Sequence, residues 1–359
     1  MQVVFVITVV YSLLSVCSSV IAQPPQAQGS SAGEFRKVGA AGAQFLKIGV
    51  GARANGMAGA FTAIANDPSA LFYNNAGIVD IKGYMGSFSY IQWFGGYSHN
   101  FIAGIVPMGE NYRAALSVTS FTSGPIPFAT IQDENRLNTT YSITDVAIGG
   151  TFAAQLTDQF SFGVTLKYIQ NGIGGMSASG ILADVGTMYR FRGVRLGFSI
   201  SNLGPPLQFS GGDLNFRTDL LRELQYQQID ASYLVNPFNA PISLKAGLAA
   251  DLTTELLGLY DSDPNLAINQ SREHRWLMAL EFETLSDVPE QLAIGTEYTW
   301  NDLLSIRAGY RYNQSVFGFS GGIGIRYIGS GFEGMLDYSI HPSSTLGIVN
   351  RFSLTVRLD

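Results

Sequence analysis

The sequence predicts an all-β chain: an antiparallel transmembrane β-barrel of about fourteen strands, with an N-terminal helical and irregular hatch in its lumen. Charge content, periodicity and the position of the one long apolar run predict it. Only 13% of the 359 residues are charged while 46% are hydrophobic, whereas a soluble domain carries about 25% charge. Beyond residue 22 the apolar residues are not gathered into helix-length runs. They alternate with polar ones, as they do in strands that turn one face to lipid and the other to a polar lumen.

The long apolar run is Met1 to Ala22, without a charged side chain. It closes on Ser18-Ser19-Val20-Ile21-Ala22, which has small residues where a signal peptidase would cut. Residues 1–22 therefore read as a secretory signal, with the mature chain starting near Gln23. The run has no basic start and is long enough to span a bilayer, so a membrane anchor is the alternative. Cys17, the only cysteine, sits inside it. Cleavage would leave no disulfide, thiolate metal site or cysteine nucleophile. The net charge of -6 would survive, and an acidic chain is poorly suited to nucleic acid.

From about Tyr84 to the C-terminus the chain is a series of period-two segments. In one, Leu304, Ile306, Ala308, Tyr310 and Tyr312 oppose Ser305, Arg307, Gly309, Arg311 and Asn313. In another, Trp276, Met278, Leu280 and Phe282 oppose Leu277, Ala279, Glu281 and Glu283. The apolar lines are long, and the opposite faces mix charges with glycine. A soluble sandwich also alternates, but it has no reason to fill its polar face with Gly, whereas a lumen holding a plug does. Fourteen segments start near Tyr84, Asn100, Tyr112, Tyr141, Phe160, Ile181, Val194, Ile242, Arg275, Gln291, Leu304, Phe319, Phe332 and Gly347. Tight turns at Gly109-Glu110-Asn111, Leu156-Thr157-Asp158, Asn301-Asp302 and Ser330-Gly331 alternate with longer links, residues 122–138 and 203–240, as periplasmic turns alternate with outer loops. The link at residues 253–273 is long but falls on the turn side; either the register slips by one strand or the barrel has a periplasmic insertion. Trp93, Phe94, Tyr97, Tyr189, Phe191, Tyr298, Trp300, Tyr310 and Tyr312 cluster at segment ends, as interfacial girdles do. Ile306 is expected to face lipid and Arg307 the lumen, so that Arg at 306 blocks assembly while Ala at 307 is tolerated.

Residues 23–83 precede the barrel, which the reading places at 84–359. From about Gly33 they are rich in Gly and Ala and lack the period of two. Asp67-Pro68-Ser69 reads as a helix start, with Asp67 as N-cap and Pro68 at the first position; Asn74, Asn75 and Gly77 read as a stop. Irregular backbone cannot face lipid, so this segment belongs inside or under the lumen. Arg53 then pairs with a lumen carboxylate, Glu281, Glu283 or Glu297, or else reaches solvent.

Two stretches carry a family resemblance. Gly51-Ala52-Arg53-Ala54-Asn55-Gly56-Met57-Ala58-Gly59-Ala60-Phe61-Thr62-Ala63 resembles the opening motif of the PorV/PorQ family. Asp67-Pro68-Ser69-Ala70-Leu71-Phe72-Tyr73-Asn74-Asn75-Ala76-Gly77 resembles its second half, with Asn75 where the family has Pro. Ser201-Asn202-Leu203-Gly204-Pro205 and Arg307-Ala308-Gly309-Tyr310-Arg311 are similar to family strand ends, and Asp337-Tyr338 followed by Leu346-Gly347 and Arg351-Phe352-Ser353-Leu354 resembles its last hairpin. The resemblance implies a FadL-like, fourteen-stranded outer-membrane barrel of a Gram-negative bacterium, with Gly51, Arg53, Gly56, Met57, Gly59, Asp67, Asn74 and Gly77 as the hatch motif. It also implies one of two roles: a protein-binding component of type IX secretion or an associated envelope assembly, or a transporter of hydrophobic small molecules.

Enzymatic chemistry is not expected. His99, His274 and His341 have no partner at metal-ligand spacing. Gly318-Phe319-Ser320-Gly321-Gly322 matches a nucleophile elbow, but strand residues follow where a helix is required. Gly172-Ile173-Gly174 lacks the third glycine of a dinucleotide fingerprint. Glu281 and Glu283 share a face and read as lumen lining. No cofactor is expected; the expected partners are outer-membrane lipid and other envelope or secretion proteins, with Pro125, Pro127, Phe128, Pro205, Pro206, Leu220 and Leu221 as candidate partner-binding loop residues. Those loop residues either form a binding surface or pack on the barrel's own rim.

Overall fold

A computed structural model describes residues 41–127, 140–191, 193–218, 229–255, 273–314, 318–343 and 346–358. The expected signal, Phe128, Leu220 and Leu221 lie outside the described residues. Fourteen strands form the wall: β1 (Tyr84–Gln92), β2 (Ser98–Pro107), β3 (Tyr112–Thr122), β4 (Ile143–Gln155), β5 (Phe160–Ile173), β6 (Met176–Phe191), β7 (Val194–Leu203), β8 (Ser243–Asp251), β9 (His274–Leu285), β10 (Gln291–Trp300), β11 (Leu304–Tyr312), β12 (Phe319–Ile328), β13 (Phe332–Ser343) and β14 (Gly347–Leu358). Each pairs antiparallel with its neighbours in sequence. The ring closes where β1 meets β14, from Tyr84↔Leu358 to Gln92↔Asn350. Closure removes the sheet edge, which in a bilayer would leave backbone N–H and C=O groups without partners.

The alternation in the sequence sets the two faces. Ile306 is 54% exposed and Arg307 6%; Phe198, Ile325 and Leu354 likewise point out. This outer face is what meets lipid, so Ile306→Arg is expected to cost about 2–4 kcal/mol near mid-strand, read as loss of heat-modifiable migration on gels. Exposed aromatics ring both ends, Tyr189, Phe191, Tyr298 and Trp300 at the turn end and Tyr312 and Phe319 at the loop end. Trp93 instead packs inward on the pair Ile91 and Val349.

Nine strands begin where the period-two pattern begins. The largest departure is β6, which starts at Met176 rather than near Ile181. Residues 176–180 have no apolar line; they are held as strand by β5 on one side, through Ile173↔Met176 and Gly172↔Ser177, and by Ser210 and Gly211 on the other. The link at 253–273 is not a register slip. Asp251 pairs with Leu277 and Ser243 with Leu285, so the link leaves and re-enters at the end that carries the tight turns.

Candidate functional site: the hatch and the pocket above it

The chain threads the lumen from the loop end to the turn end. Ala41 bridges Asn239 of the outer loop, and Lys47 Nζ lies 2.9 Å from Asp287 in the β9–β10 link. Helix α1 (Ala52–Gly56) packs on β11–β14, and a 3-10 turn, Asn75–Asp80, packs on β4–β6. At the turn end Asp80 takes Arg190 at 2.6 Å and Arg195 at 3.0 Å, and Arg113 donates to the Ile81 carbonyl.

All eight motif residues lie in the lumen, and each has a local reason. Arg53 reaches Glu297, with Nε and Nη2 each 2.8 Å from one carboxylate oxygen; Asn66 and Asp67 take its Nη1. A bidentate, desolvated pair of this kind is strong only while both partners remain. The helix start differs from the expectation: α2 runs Ala70–Tyr73 with Ser69, not Asp67, at the N-cap position, and Asp67 instead accepts the Ser69 N–H at 2.9 Å in the turn before it. Asn74 turns extended and donates to the Thr62 and Thr187 carbonyls, joining hatch to wall. Asn75, where the resembled family has Pro, uses its amide to hold Thr165 and the Asp184 carbonyl. Gly51 and Gly59 adopt φ of +75° and +77°, a conformation open mainly to Gly. Gly56 and Met57 lie against the wall, and a Cβ on Gly77 would fall 1.7 Å from the Ala65 carbonyl oxygen.

The lumen glycines form a collar at mid-height. A Cβ on Gly309 would lie 2.4 Å from the Met57 carbonyl carbon, one on Gly197 2.3 Å from the Thr62 oxygen, one on Gly247 2.9 Å from the Ala63 nitrogen and one on Gly163 2.7 Å from the Ala76 nitrogen. Wall and plug thus touch backbone to backbone. Charged groups fasten the contact: Glu281 accepts the N–H of Phe61 and Thr62, and Arg311 donates to the Ala58 carbonyl. Glu281 is therefore a hatch clamp, and Glu283 is taken up by Arg311 at 2.6 Å and Ser243 at 2.8 Å. The pair is not poised for acid–base work. Ser320 lies in β12 and donates to the Gly56 carbonyl, so the elbow pattern is a strand fragment. Among the described residues no group of three or more His, Cys, Asp or Glu could hold a metal.

Arg307 corrects an expectation. It is not a dispensable lumen residue: its Nε lies 2.6 Å from Glu297 and its Nη1 2.6 Å from Asp337. Removing it would leave Asp337 buried without that partner, so Arg307→Ala is expected to be destabilising, read as an earlier thermal unfolding of the detergent-solubilised barrel.

Above the collar a pocket of about 50 Å3 opens toward the loop end. Its apolar side is Phe45, Leu46, Leu71, Phe72 and Phe101; its polar side includes Lys167, Asn202, Lys245 and Glu283. Lys245 lies 4.8 Å from the Phe72 ring and 3.7 Å from Glu283. These residues come from the hatch and from strands far apart in sequence; of the pocket's lining, Leu71, Phe72, Ser201 and Asn202 belong to motifs that the sequence marks. The alternation that puts Lys167 and Lys245 on the lumen face is the signal for the rest. Of the candidate loop residues, Pro125, Pro127, Pro205 and Pro206 reach the surface. The next residue, Leu207, is buried with Phe45 and Leu182 at the rim.

No known protein-family profile matches the sequence, and no curated protein matches it. Solved structures do. The toluene transporter TbuX of Ralstonia pickettii is 13% identical with a TM-score of 0.54, over 87% of this chain and 99% of that one. A FadL homologue of Pseudomonas aeruginosa is 14% identical with a TM-score of 0.52, over 87% and 99%. The toluene transporter TodX of P. putida is 14% identical with a TM-score of 0.53, over 86% and 96%. Fold and plug together define a class: a fourteen-stranded transmembrane β-barrel closed by an N-terminal hatch, similar in fold to these FadL-type barrels.

Proposed function

We propose that the protein is a non-enzymatic outer-membrane barrel that takes small hydrophobic molecules from the cell surface into the pocket above the hatch. The observation that carries this reading is the pocket itself: an apolar floor and side made by Phe45, Leu46 and Phe72, open toward the outer loops and closed below by the glycine collar. Its charges are paired rather than bare, since Lys245 has Glu283 and Lys47 has Asp287. With the axis sealed, onward passage goes through the barrel wall rather than down the lumen. The likeness of fold to two toluene transporters supports the same class of cargo. An apolar cavity that holds benzene measures roughly 150 Å3, so entry requires Phe45 and Phe72 to swing aside. Calorimetric titration of the detergent-solubilised protein with toluene should show saturable binding, and Thr119→Trp, which fills the pocket from the wall, should remove it while the barrel still forms. A folded wild type that takes up no toluene beyond partition into detergent defeats the reading.

The second reading is the protein-binding one, a PorV-like component of type IX secretion. It is favoured by the sequence resemblance and by one surface feature: Tyr233 and Leu234 of the long outer loop are 63% and 93% exposed, unusual for large apolar residues side by side. Deleting residues 203–240 would not test it cleanly, because Leu207 and Phe238 of that loop pack on the hatch side of the rim. The double change Tyr233→Ser and Leu234→Ser is expected to abolish co-purification of a partner and leave toluene binding intact if this reading holds. Unchanged co-purification counts against it.

A further inference from the structure

The pairing of β6 with β7 is interrupted at one place. Between Ala183↔Leu203 and Val185↔Ile200 the register shifts, so that Ser201 and Asn202 stand opposite Asp184 alone. Bulges of this kind re-aim side chains beside functional sites. Here three groups converge. Lys167 Nζ, from β5, donates to Asn202 Oδ1 at 2.7 Å and lies 2.8 Å from Asp184 Oδ2. The Asn202 N–H donates to Asp184 Oδ1 at 2.7 Å. Asn202 Nδ2 donates to the Pro241 carbonyl at 2.9 Å, and its backbone is held at φ +64°. Asp184 and Asn202 are 5% and 4% exposed.

We propose that this triad is a self-modifying site, in which Lys167 and Asn202 join in an intramolecular isopeptide bond that ties β5 to β7 across β6. Since Nζ lies 2.7 Å from Oδ1 and a carbonyl bond is about 1.2 Å long, the Cγ of Asn202 is within attacking reach. Proximity of this kind replaces a bimolecular encounter between an amine and an unreactive amide. Asp184 supplies the acid–base step. It takes one proton from the Lys167 ammonium, and the freed Nζ lone pair forms the bond to Cγ while the carbonyl pair moves to Oδ1. The tetrahedral centre collapses, the Cγ–Nδ2 bond breaks, and Nδ2 leaves with its electron pair. It collects the second proton from Nζ and the one held by Asp184, and departs as ammonium into the pocket that Lys167 and Asn202 line. Lys-NH3+ and the Asn carboxamide thus give a secondary amide and NH4+, with nothing oxidised or reduced and Asp184 restored as carboxylate. The low exposure of Asp184 and Asn202 limits hydrolysis of Asn202 in competition with amide formation. The inference is independent of the transport reading; a covalent tie at the only interrupted pairing among the described wall strands would keep the barrel closed at that point.

Intact mass of the purified full-length protein tests it. The expected mass is lower by one ammonia than the processed sequence requires, and a tryptic digest should contain one branched peptide joining the segments with Lys167 and Asn202. Lys167→Arg, which keeps the charge, and Asp184→Asn, which keeps the size but loses one of the two acceptors that meet Lys167 and the Asn202 N–H, should each restore the full mass in a folded barrel. Wild type at full mass, or an ammonia loss that persists in Lys167→Arg and so arises from cyclisation at an Asn, overturns the proposal. A variant that fails to fold leaves the wild-type mass and the branched peptide to decide.

Discussion

Glu297→Ala is expected to abolish formation of a stable barrel. Glu297 is 1% exposed and is shared by two guanidiniums, Arg53 of the hatch at 2.8 Å and Arg307 of the wall at 2.6 Å. It therefore carries hatch and wall in one contact. Its removal would leave two buried cations facing each other, with Asn66 and Asp67 at the outer nitrogen of Arg53 and Asp337 at that of Arg307. Breaking one buried pair costs about 3–5 kcal/mol because the surviving charge stays desolvated; here two cations survive. Glu297→Asp should be intermediate, since it keeps the charge but shortens the reach. The measurement is the fraction of outer-membrane protein that migrates as a folded barrel before heating, together with its thermal midpoint in detergent. A Glu297→Ala barrel as abundant and as stable as wild type would mean that Arg53 and Arg307 are not held by this carboxylate.

The second large effect is steric. Gly309→Leu is expected to evict the hatch or prevent closure, because the first added carbon would lie 2.4 Å from the Met57 carbonyl carbon and 2.6 Å from the Ala58 nitrogen. Backbone atoms cannot rotate away as a side chain can, so the cost exceeds the roughly 1–3 kcal/mol of ordinary overpacking. Wild type should conduct ions poorly in a planar bilayer, since wall and plug touch backbone to backbone around the collar. A folded Gly309→Leu barrel should conduct measurably more. Gly104→Leu is the control: it lies on the outer face with nothing within 4 Å of the added carbon and should be tolerated. Equal silence of Gly309→Leu and wild type, at equal stability, would contradict a plug in backbone contact with the wall.

Much of the barrel is legible in the order of its residues, for a reason particular to membranes. Lipid imposes one requirement on every outward residue, and the strand repeat of two then marks both faces; Ile306 and Arg307 take the expected sides. β6 begins earlier than its apolar pattern because residues 176–180 pair along β5 and the first two of them also pair with Ser210 and Gly211. Arg307→Ala is not expected to be tolerated, as the alternation alone suggests, because the plug makes the lumen face an interior in which Arg307 pairs with Glu297 and Asp337.

By itself the sequence determined that residues from Tyr84 onward make a closed wall of alternating strands, and that an irregular, small-residue segment before it must be kept from lipid. Both follow from local periodicity and from the cost of unpaired backbone in hydrocarbon. Tertiary structure alone decided which carboxylate receives Arg53: the alternation left Glu281, Glu283 and Glu297 equivalent. The threading of the hatch gave Glu281 to the Phe61 and Thr62 amides, Glu283 to Arg311 and Glu297 to Arg53. Partner choice inside a lumen depends on height and angle around the ring, and both are set by strand register together with the path of the plug, which no single segment encodes.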